Sequence, residues 1–332
     1  MSNIYIIAEA GVNHNGNRDL ALRLCQEARN CNADAVKFQT FKTEKLVTKQ
    51  TAMAQYQADN IGTVKTQYEM AKELELSYED FAIVKKYCDS LGIDFLSTPD
   101  EEDSLDFLVS LGLETLKIGS GEITNVPFLR KAGSKGLDII LSTGMSTMAE
   151  VENANGILVN NGARSVSLLH CTSDYPCSFE DVNLRVIDTL KRTFNTRIGY
   201  SDHTWGIEIS LAAVAMGAQI IEKHFTLDRT LPGPDHVVSV EPRELKMLVE
   251  KTRNIEIALG DGIKEPTSAE LKIRPLVRKN IVASKGIKTG EAFTADNLTT
   301  KRSSQGIGAE NWDTVIGLTA RQDYDADEAI LL

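Results

Sequence analysis

Residues 197–224 begin Arg197-Ile198-Gly199-Tyr200-Ser201-Asp202-His203 and end Gln219-Ile220-Ile221-Glu222-Lys223-His224. Each end is a short apolar run that turns polar at its C-terminal side, and Gly206–Met216 between them is patterned as a helix. Strand, helix and strand in that order predict a parallel pair joined by a right-handed crossover. The unit recurs. Its runs are Ile4–Ala8, Ala33–Phe38, Ile93–Leu96, Thr115–Ile118, Asp138–Leu141, Ser165–Leu169, Arg197–Tyr200 and Gln219–Ile221. Helix-like segments such as Arg18–Asn30, Tyr78–Leu91, Ser104–Leu111, Met148–Asn160 and Leu184–Arg192 lie between them. Eight units in about 225 residues is the size of an α/β (β/α)8 TIM barrel. An open doubly wound sheet is the rival, but the Gly-x-Gly-x-x-Gly turn expected after its first strand is missing.

Past the eighth unit, Pro242 to about Leu259 reads as one more helix, and Gly260–Ser268 carries the Gly, Pro and charge content of a linker. From about Leu276 the chain changes to short strand-like runs (Asn280–Ala283, Leu298–Thr300, Ala329–Leu332) broken by glycines. The expected division is a barrel over 1–262, a linker over 263–275 and a small β-rich domain over 276–332. So small a module has a marginal core and is expected to dock on something.

The 332 residues include 36 Lys and Arg against 47 Asp and Glu, a net charge of −11. That surface repels a phosphate backbone, so nucleic acid is not an expected partner. An anionic substrate would need a local pocket that concentrates lysine. No apolar stretch reaches the ~18 residues a membrane helix needs, and Ile4-Tyr5-Ile6-Ile7-Ala8-Glu9 lacks the basic leader of a secretory signal. A cytoplasmic location is expected. The five scattered cysteines form no Cys-x-x-Cys pair and read as reduced thiols.

In a barrel the inward side chains alternate along each strand, and the active site sits at the C-terminal ends. That parity brings Glu9 from the first strand, Lys37 and Gln39 from the second, and Ser97 with Thr98 just beyond from the third. The fourth gives Lys117 followed by Ser120 and Glu122, and the fifth gives Ser142. The last three give His170 with Thr172, Ser201 with His203, and Glu222 with His224. Strand-end polarity alone accounts for the hydroxyls. It accounts poorly for Lys37, Lys117, Glu222 and His224, because a buried charge must be paired or used. His203 and His224 end adjacent strands, so they are candidates for a borderline divalent ion such as Mn²⁺, Co²⁺ or Zn²⁺, with hydrogen-bonded core histidines as the alternative. Lys37 and Lys117 could cradle a phosphate with the serines, form a Schiff base as in a class I aldolase, or simply pair with Glu9, Glu122 or Glu222.

Several motifs together resemble one family. They are Ile7–Gly16 (IAEAGVNHNG), Val36–Thr40 (VKFQT), Ser120-Gly121-Glu122, Ser142–Met145 (STGM), Gly199–His203 (GYSDH), Ile221–Thr226 (IEKHFT) and Gly233–His236 (GPDH). In this order they resemble the sialic acid (N-acetylneuraminate) synthase family, which includes legionaminic acid synthases. The tail from Arg278, with Lys301-Arg302 and Gly306-Ile307, resembles that family's antifreeze-protein-like (SAF) domain.

The resemblance implies a transferase that condenses phosphoenolpyruvate with an N-acetylmannosamine-type sugar aldehyde and water. The products are a nine-carbon 2-keto acid and phosphate. It implies a divalent metal on His203 and His224, with Mn²⁺ the expected ion and Mg²⁺ or Co²⁺ as alternatives. Phosphoenolpyruvate would be bound by Lys37, Thr98, Lys117, Ser120, Ser142 and Ser201. The sugar would be contacted by Glu9, Gln39, Tyr175, Asp235 and Arg302, and Glu122 would be the general base. A homodimer is implied, with each tail capping the partner's site. Four positions depart from the family pattern: Asp100 stands where an aromatic commonly follows Ser-Thr-Pro, Ser173 replaces an Asn, and Ser303-Ser304 replaces Pro-Gly after Arg302. His170–Ser173 and Leu231–Pro234 look closer to the legionaminic acid branch.

Overall fold

The computed structural model describes residues 4–63 and 65–332, in two compact units, Met1–Gly260 and Asp261–Leu332. The first unit is built on eight parallel strands: β1 (Tyr5–Gly11), β2 (Ala35–Thr40), β3 (Asp94–Pro99), β4 (Thr115–Ile118), β5 (Asp138–Ser142), β6 (Ser165–Cys171), β7 (Ile198–Asp202) and β8 (Ile220–His224). Hydrogen bonding runs in the order β3-β2-β1-β8-β7-β6-β5-β4. β3 and β4, the two ends of that order, lie side by side and complete the ring. This is the expected TIM barrel, and the final helix spans Pro242–Leu259 as read from the sequence.

The period-2 alternation of each strand divides the apolar residues into two layers. Ile7, Ala35, Leu96, Ile140, Leu169 and Ile220 pack against one another inside the ring. Their neighbours Ile6, Ala8, Val36, Phe38, Phe95, Leu116, Leu141, Leu168, Tyr200 and Ile221 face the helices in a larger outer core. The inner apolar layer closes the barrel below, so inward residues one step further along each strand must line its mouth.

Helix starts are local and visible. Asn17, Ser77 and Thr147 each accept a backbone N–H of the first turn they cap, and Thr147 with Glu150 forms a capping box. The long connection after β2 carries three short helices, Thr43–Leu46, Gln55–Ile61 and Gln67–Leu74. Their floor, with Val12 and Phe41, is a separate buried cluster containing Met70, Ala71 and Leu74.

In the second unit β9 (Lys279–Ala283) pairs antiparallel with β10 (Leu298–Arg302) over a small core that includes Ile281, Phe293, Leu298, Tyr324 and Ile330. Ala329 joins only through a single bridge to Val282, so the expected run Ala329–Leu332 forms no extended strand. Part of the stretch read as linker is ordered: Ser268–Val277 is a helix, because Thr267 and Glu270 form a capping box. Its apolar residues Leu271, Ile273, Leu276 and Val277 are exposed. Among the described residues no helix is long and apolar enough to cross a membrane.

Gly199 is where the inner layer tolerates no side chain. A Cβ there would lie 2.5 Å from both the Ile220 carbonyl oxygen and Leu169 Cδ2. Gly199→Ala is expected to destabilise the barrel by at least about 2 kcal/mol through overpacking. The denaturation midpoint measures it, and an unchanged midpoint would mean that β7 and β8 can separate at no cost.

Candidate active site

Strand register places the charged residues in a row. Glu9 lies level with Lys37 on one side and His224 on the other, and Ser201 lies level with Glu222. All five project into the mouth of the ring, where they help to line a cavity of about 470 Å³. Lys37 Nζ sits 2.8 Å from Glu9 Oε2 and 3.8 Å from Glu222 Oε2, and Lys117 Nζ sits 3.5 Å from Glu222 Oε1. These side chains are at most 6% exposed. Hydroxyls complete the row. Lys37 donates to Thr98 Oγ1 (3.0 Å) and Lys117 to Ser142 Oγ (2.7 Å), while the Ser201 hydroxyl donates to Glu222 Oε1 (3.0 Å). Ser120 Oγ accepts the Gly144 N–H at 2.9 Å.

Burial disfavours every one of these charges, and neighbours decide which survive. Glu222 loses hydration but stands between both ammoniums, which hold it down to about 2. Glu9 is pushed up to about 8 by burial, against the pull of Lys37 and with the Glu222 charge nearby. Burial also opposes the Lys37 ammonium, but Glu222 and Glu9 more than offset it and raise its pKa. Lys117 has Glu222 in its favour and Lys37 against it, and burial lowers it. Glu222 is therefore the fixed anion of the site. The two lysines are the groups free to exchange carboxylate for an incoming anion.

The histidines lie beside this row, with ring centroids 5.5 Å apart. His203 Nδ1 is 2.6 Å from the Thr172 carbonyl. A carbonyl only accepts, so Nδ1 carries the proton and Nε2 keeps its lone pair. His224 Nδ1 is buried without a hydrogen-bond partner, 3.9 Å from Asp235 Oδ2. Burial lowers both, His203 to about 4, so both rings are neutral near pH 7. Behind the strands Lys223 pairs with Asp202 (3.0 Å) and donates to the Thr204 carbonyl (2.5 Å), which ties the end of β7 to the end of β8. His203 Nε2 meets the Ser201 hydroxyl at 3.4 Å, and two neutral imidazoles side by side, one with an unpartnered nitrogen, suit a borderline divalent cation. Among the described residues no cluster of three or more His, Cys, Asp and Glu converges, so such an ion would keep open positions for water and substrate. Tyr175 packs against His203 with its ring tilted by 36° (4.1 Å between centroids), stands edge-on to His224 (5.6 Å) and is itself covered by Tyr56 (5.0 Å).

Of the residues expected at the site, Glu9, Lys37, Gln39, Thr98, Lys117, Ser120, Ser142, Tyr175, Ser201, His203 and His224 line this one cavity. Asp235 lines an adjoining lobe and is pushed up to about 6 by burial. Glu122 closes the 3₁₀ turn Ser120–Glu122, where Ser120 and Gly121 form the cavity wall and its own carboxylate accepts from Asn125 Nδ2 at 2.5 Å. Burial raises its pKa. Arg302 is an exposed residue at the end of β10 in the second unit. Two parity readings are corrected. On β6 it is Cys171 that faces the cavity, while His170 turns outward and bonds the Val182 carbonyl (2.7 Å). On β3, Ser97 faces outward to Thr40 Oγ1 (2.7 Å) and Thr98 faces in. Sequence reasoning missed Tyr56, Gln57 and Gln67, which reach the cavity from the connection after β2. No strand-end rule points to them.

Comparison with known proteins is consistent across the chain. The NeuB family matches residues 24–264 and the SAF domain matches residues 278–332. The chain is 47% identical to an N,N'-diacetyllegionaminic acid synthase of Campylobacter jejuni over 99% of each chain. It is 36% identical to the human N-acetylneuraminate-9-phosphate synthase over 98% of this chain and 91% of that one. The crystal structure of an N-acetylneuraminic acid synthetase from Leptospira borgpetersenii, in complex with citrate, matches with a TM-score of 0.72 at 40% identity. That match covers 82% of this chain and 90% of the other.

The lysine row can be tested through stability. Lys37→Met leaves Glu9 and Glu222 buried with one cation fewer, and is expected to cost about 3–5 kcal/mol in urea denaturation. A loss under about 1 kcal/mol would show that Lys37 does not carry these carboxylates.

Proposed function

The chain belongs to the NeuB family, and from that premise we propose that it condenses phosphoenolpyruvate with an uncharged acetamido-sugar aldehyde and water. The products are a nine-carbon 2-keto acid and inorganic phosphate. The synthases it resembles are named for legionaminic and neuraminic acids. The higher identity to the legionaminic pair, 47% against 36%, favours a 2,4-diacetamido-trideoxymannose acceptor over N-acetylmannosamine.

The observation that carries the reading is the row of buried lysines and hydroxyls. An acidic protein keeps Lys37 and Lys117 together at one barrel mouth, each backed by Glu222 and each touching a hydroxyl. In this reading they offset the charge of the phosphate and carboxylate. Thr98, Ser120, Ser142 and Ser201 orient the phosphoenolpyruvate oxygens. Glu9, Gln39, Tyr175 and Asp235 hold the sugar on the far side of the row. A divalent ion on His203 and His224, Mn²⁺ by family resemblance with Mg²⁺ or Co²⁺ as alternatives, would polarise the aldehyde oxygen as a Lewis acid. Carbon 3 of phosphoenolpyruvate then attacks the aldehyde carbon. Glu122 takes a proton from the water that adds at carbon 2, and the resulting phosphate ester collapses with cleavage of its C–O bond. Glu122 reaches that water by turning away from Asn125, and its raised pKa suits a general base. The Schiff-base alternative on Lys37 or Lys117 gives the histidine pair no part in the chemistry. Borohydride with both substrates is expected to trap no lysine adduct.

Phosphate release from phosphoenolpyruvate, assayed with each acetamido sugar in turn, tests the reaction directly. Glu122→Gln is expected to lower its rate by about 10² to 10⁴, and a drop under about threefold would remove Glu122 from that role. The same reading places Arg302 at the site of a second copy of the chain in a homodimer. Inactive Arg302→Ala chains mixed and reassembled with inactive His203→Ala chains are then expected to regain activity. Verified heterodimers that stay inactive would mean that no tail serves its partner's site.

A further inference from the structure

The main cavity continues past the histidines into a side lobe of about 210 Å³, and Asp100 lines both. The lobe's floor is apolar. It is made by Val12, Phe41, Met70, Ala71 and Leu74, a buried cluster separate from the barrel core. Its rim holds acceptors and amides, namely Asp100, Asp235, Gln57 and Gln67, and no Lys or Arg is among the described residues lining it. Asp100 is fixed at the end of β3 by its backbone N–H, which bonds the Thr40 carbonyl at 3.1 Å. It is also the residue that stands where the family commonly has an aromatic, and the condensation as derived leaves it without a role. Burial pushes its carboxyl up to about 7, against the pull of Lys37 and Lys117.

This composition selects a ligand group. A phosphate would meet carboxylates and no cation. A hydroxyl could bond the polar rim but would leave the apolar floor with nothing to cover. A secondary amide bearing a methyl fits both halves: its N–H needs an acceptor at the rim and its methyl needs an apolar floor. We propose that the lobe is a subsite for a second acetamido group on the acceptor sugar, with the Asp100 carboxylate accepting its N–H and the Phe41–Met70–Leu74 floor covering its methyl. The proposal rests on the condensation proposed above and names the residues that set its sugar specificity.

The test compares three acceptors at saturating phosphoenolpyruvate: N-acetylmannosamine, its 6-deoxy analogue and 2,4-diacetamido-2,4,6-trideoxymannose. Phosphate release gives kcat/KM for each with the wild-type protein, Asp100→Ala, Asp100→Asn and Ala71→Phe, and thermal melting verifies that each variant is folded. The wild type is expected to prefer the diacetamido sugar over the 6-deoxy analogue by at least about tenfold, the discrimination one buried group provides. Asp100→Ala and Ala71→Phe are expected to erase that preference through KM, and Asp100→Asn, which keeps an acceptor oxygen, to retain part of it. Equal losses on all three sugars would overturn the proposal, because the lobe would then hold a group they share. A wild type that does not separate the diacetamido sugar from the 6-deoxy analogue would overturn it without any variant, so a misfolded Ala71→Phe does not protect it. Phosphate release with N-acetylmannosamine alone would remove the subsite and leave the reaction standing. Release with none of the three would remove the reaction.

Discussion

Glu222 stands between two buried lysines at the mouth of the barrel, and the rest of the site is arranged around that contact. A carboxylate taken out of water is costly unless it is paired. Here it is paired twice, and it allows Lys37 and Lys117 to remain in a protein whose net charge is −11. The inner apolar layer beneath them keeps water from reaching the row from below. The strand register then determines what stands beside it: Ser201 is level with Glu222, and His224 is two residues further along the same strand. Glu222 and the histidine pair are thus fixed by one local pairing of β7 and β8, while the lysines reach Glu222 from β2 and β4.

Much of this was legible because a parallel barrel converts sequence parity into position. Glu9, Lys37, Ser142, Glu222 and His224 are in phase with apolar inward residues of their own strands, Lys117 and Ser201 are in phase with Thr115 and Gly199, and all seven reach the cavity. Parity failed on β6, where Leu169 fills the inner layer and carries Cys171 rather than His170 into the mouth. The run alternates Val166 and Leu168 against Ser165 and Ser167, but that apolar face packs on the helices rather than into the ring, so the alternation points His170 the wrong way. The ordered helix Ser268–Val277 carries a capping signal and apolar residues, but the Gly, Pro and charge content ahead of it and Pro275 within it give the stretch the look of a linker. Residues after β2 were illegible in another way. Tyr56, Gln57 and Gln67 arrive from short helices folded over the mouth, and their positions depend on the Met70–Leu74 cluster rather than on any strand end.

The departures from the family pattern gain meaning from their surroundings. Asp100 reads in sequence as a lost aromatic, whereas in the fold it is a carboxylate on the wall shared by a polar cavity and an apolar lobe. In the proposed reaction the lysine row and the histidines serve the steps that do not depend on the acceptor. Differences between the family's sugars are expected where cavity walls vary and that row does not. The side lobe meets that description, since it touches the row only through Gln39 and His224.

The central claim is that phosphoenolpyruvate is consumed by carbon–carbon bond formation and loses its phosphate by C–O cleavage in a site built for the intact phosphate ester. Phosphoenolpyruvate labelled with ¹⁸O at its bridging oxygen tests this in a single turnover with the acetamido sugar. The account predicts the label in inorganic phosphate and none in the keto acid. Label retained at carbon 2 of the product would mean P–O cleavage, and would contradict the assignment of water attack at that carbon.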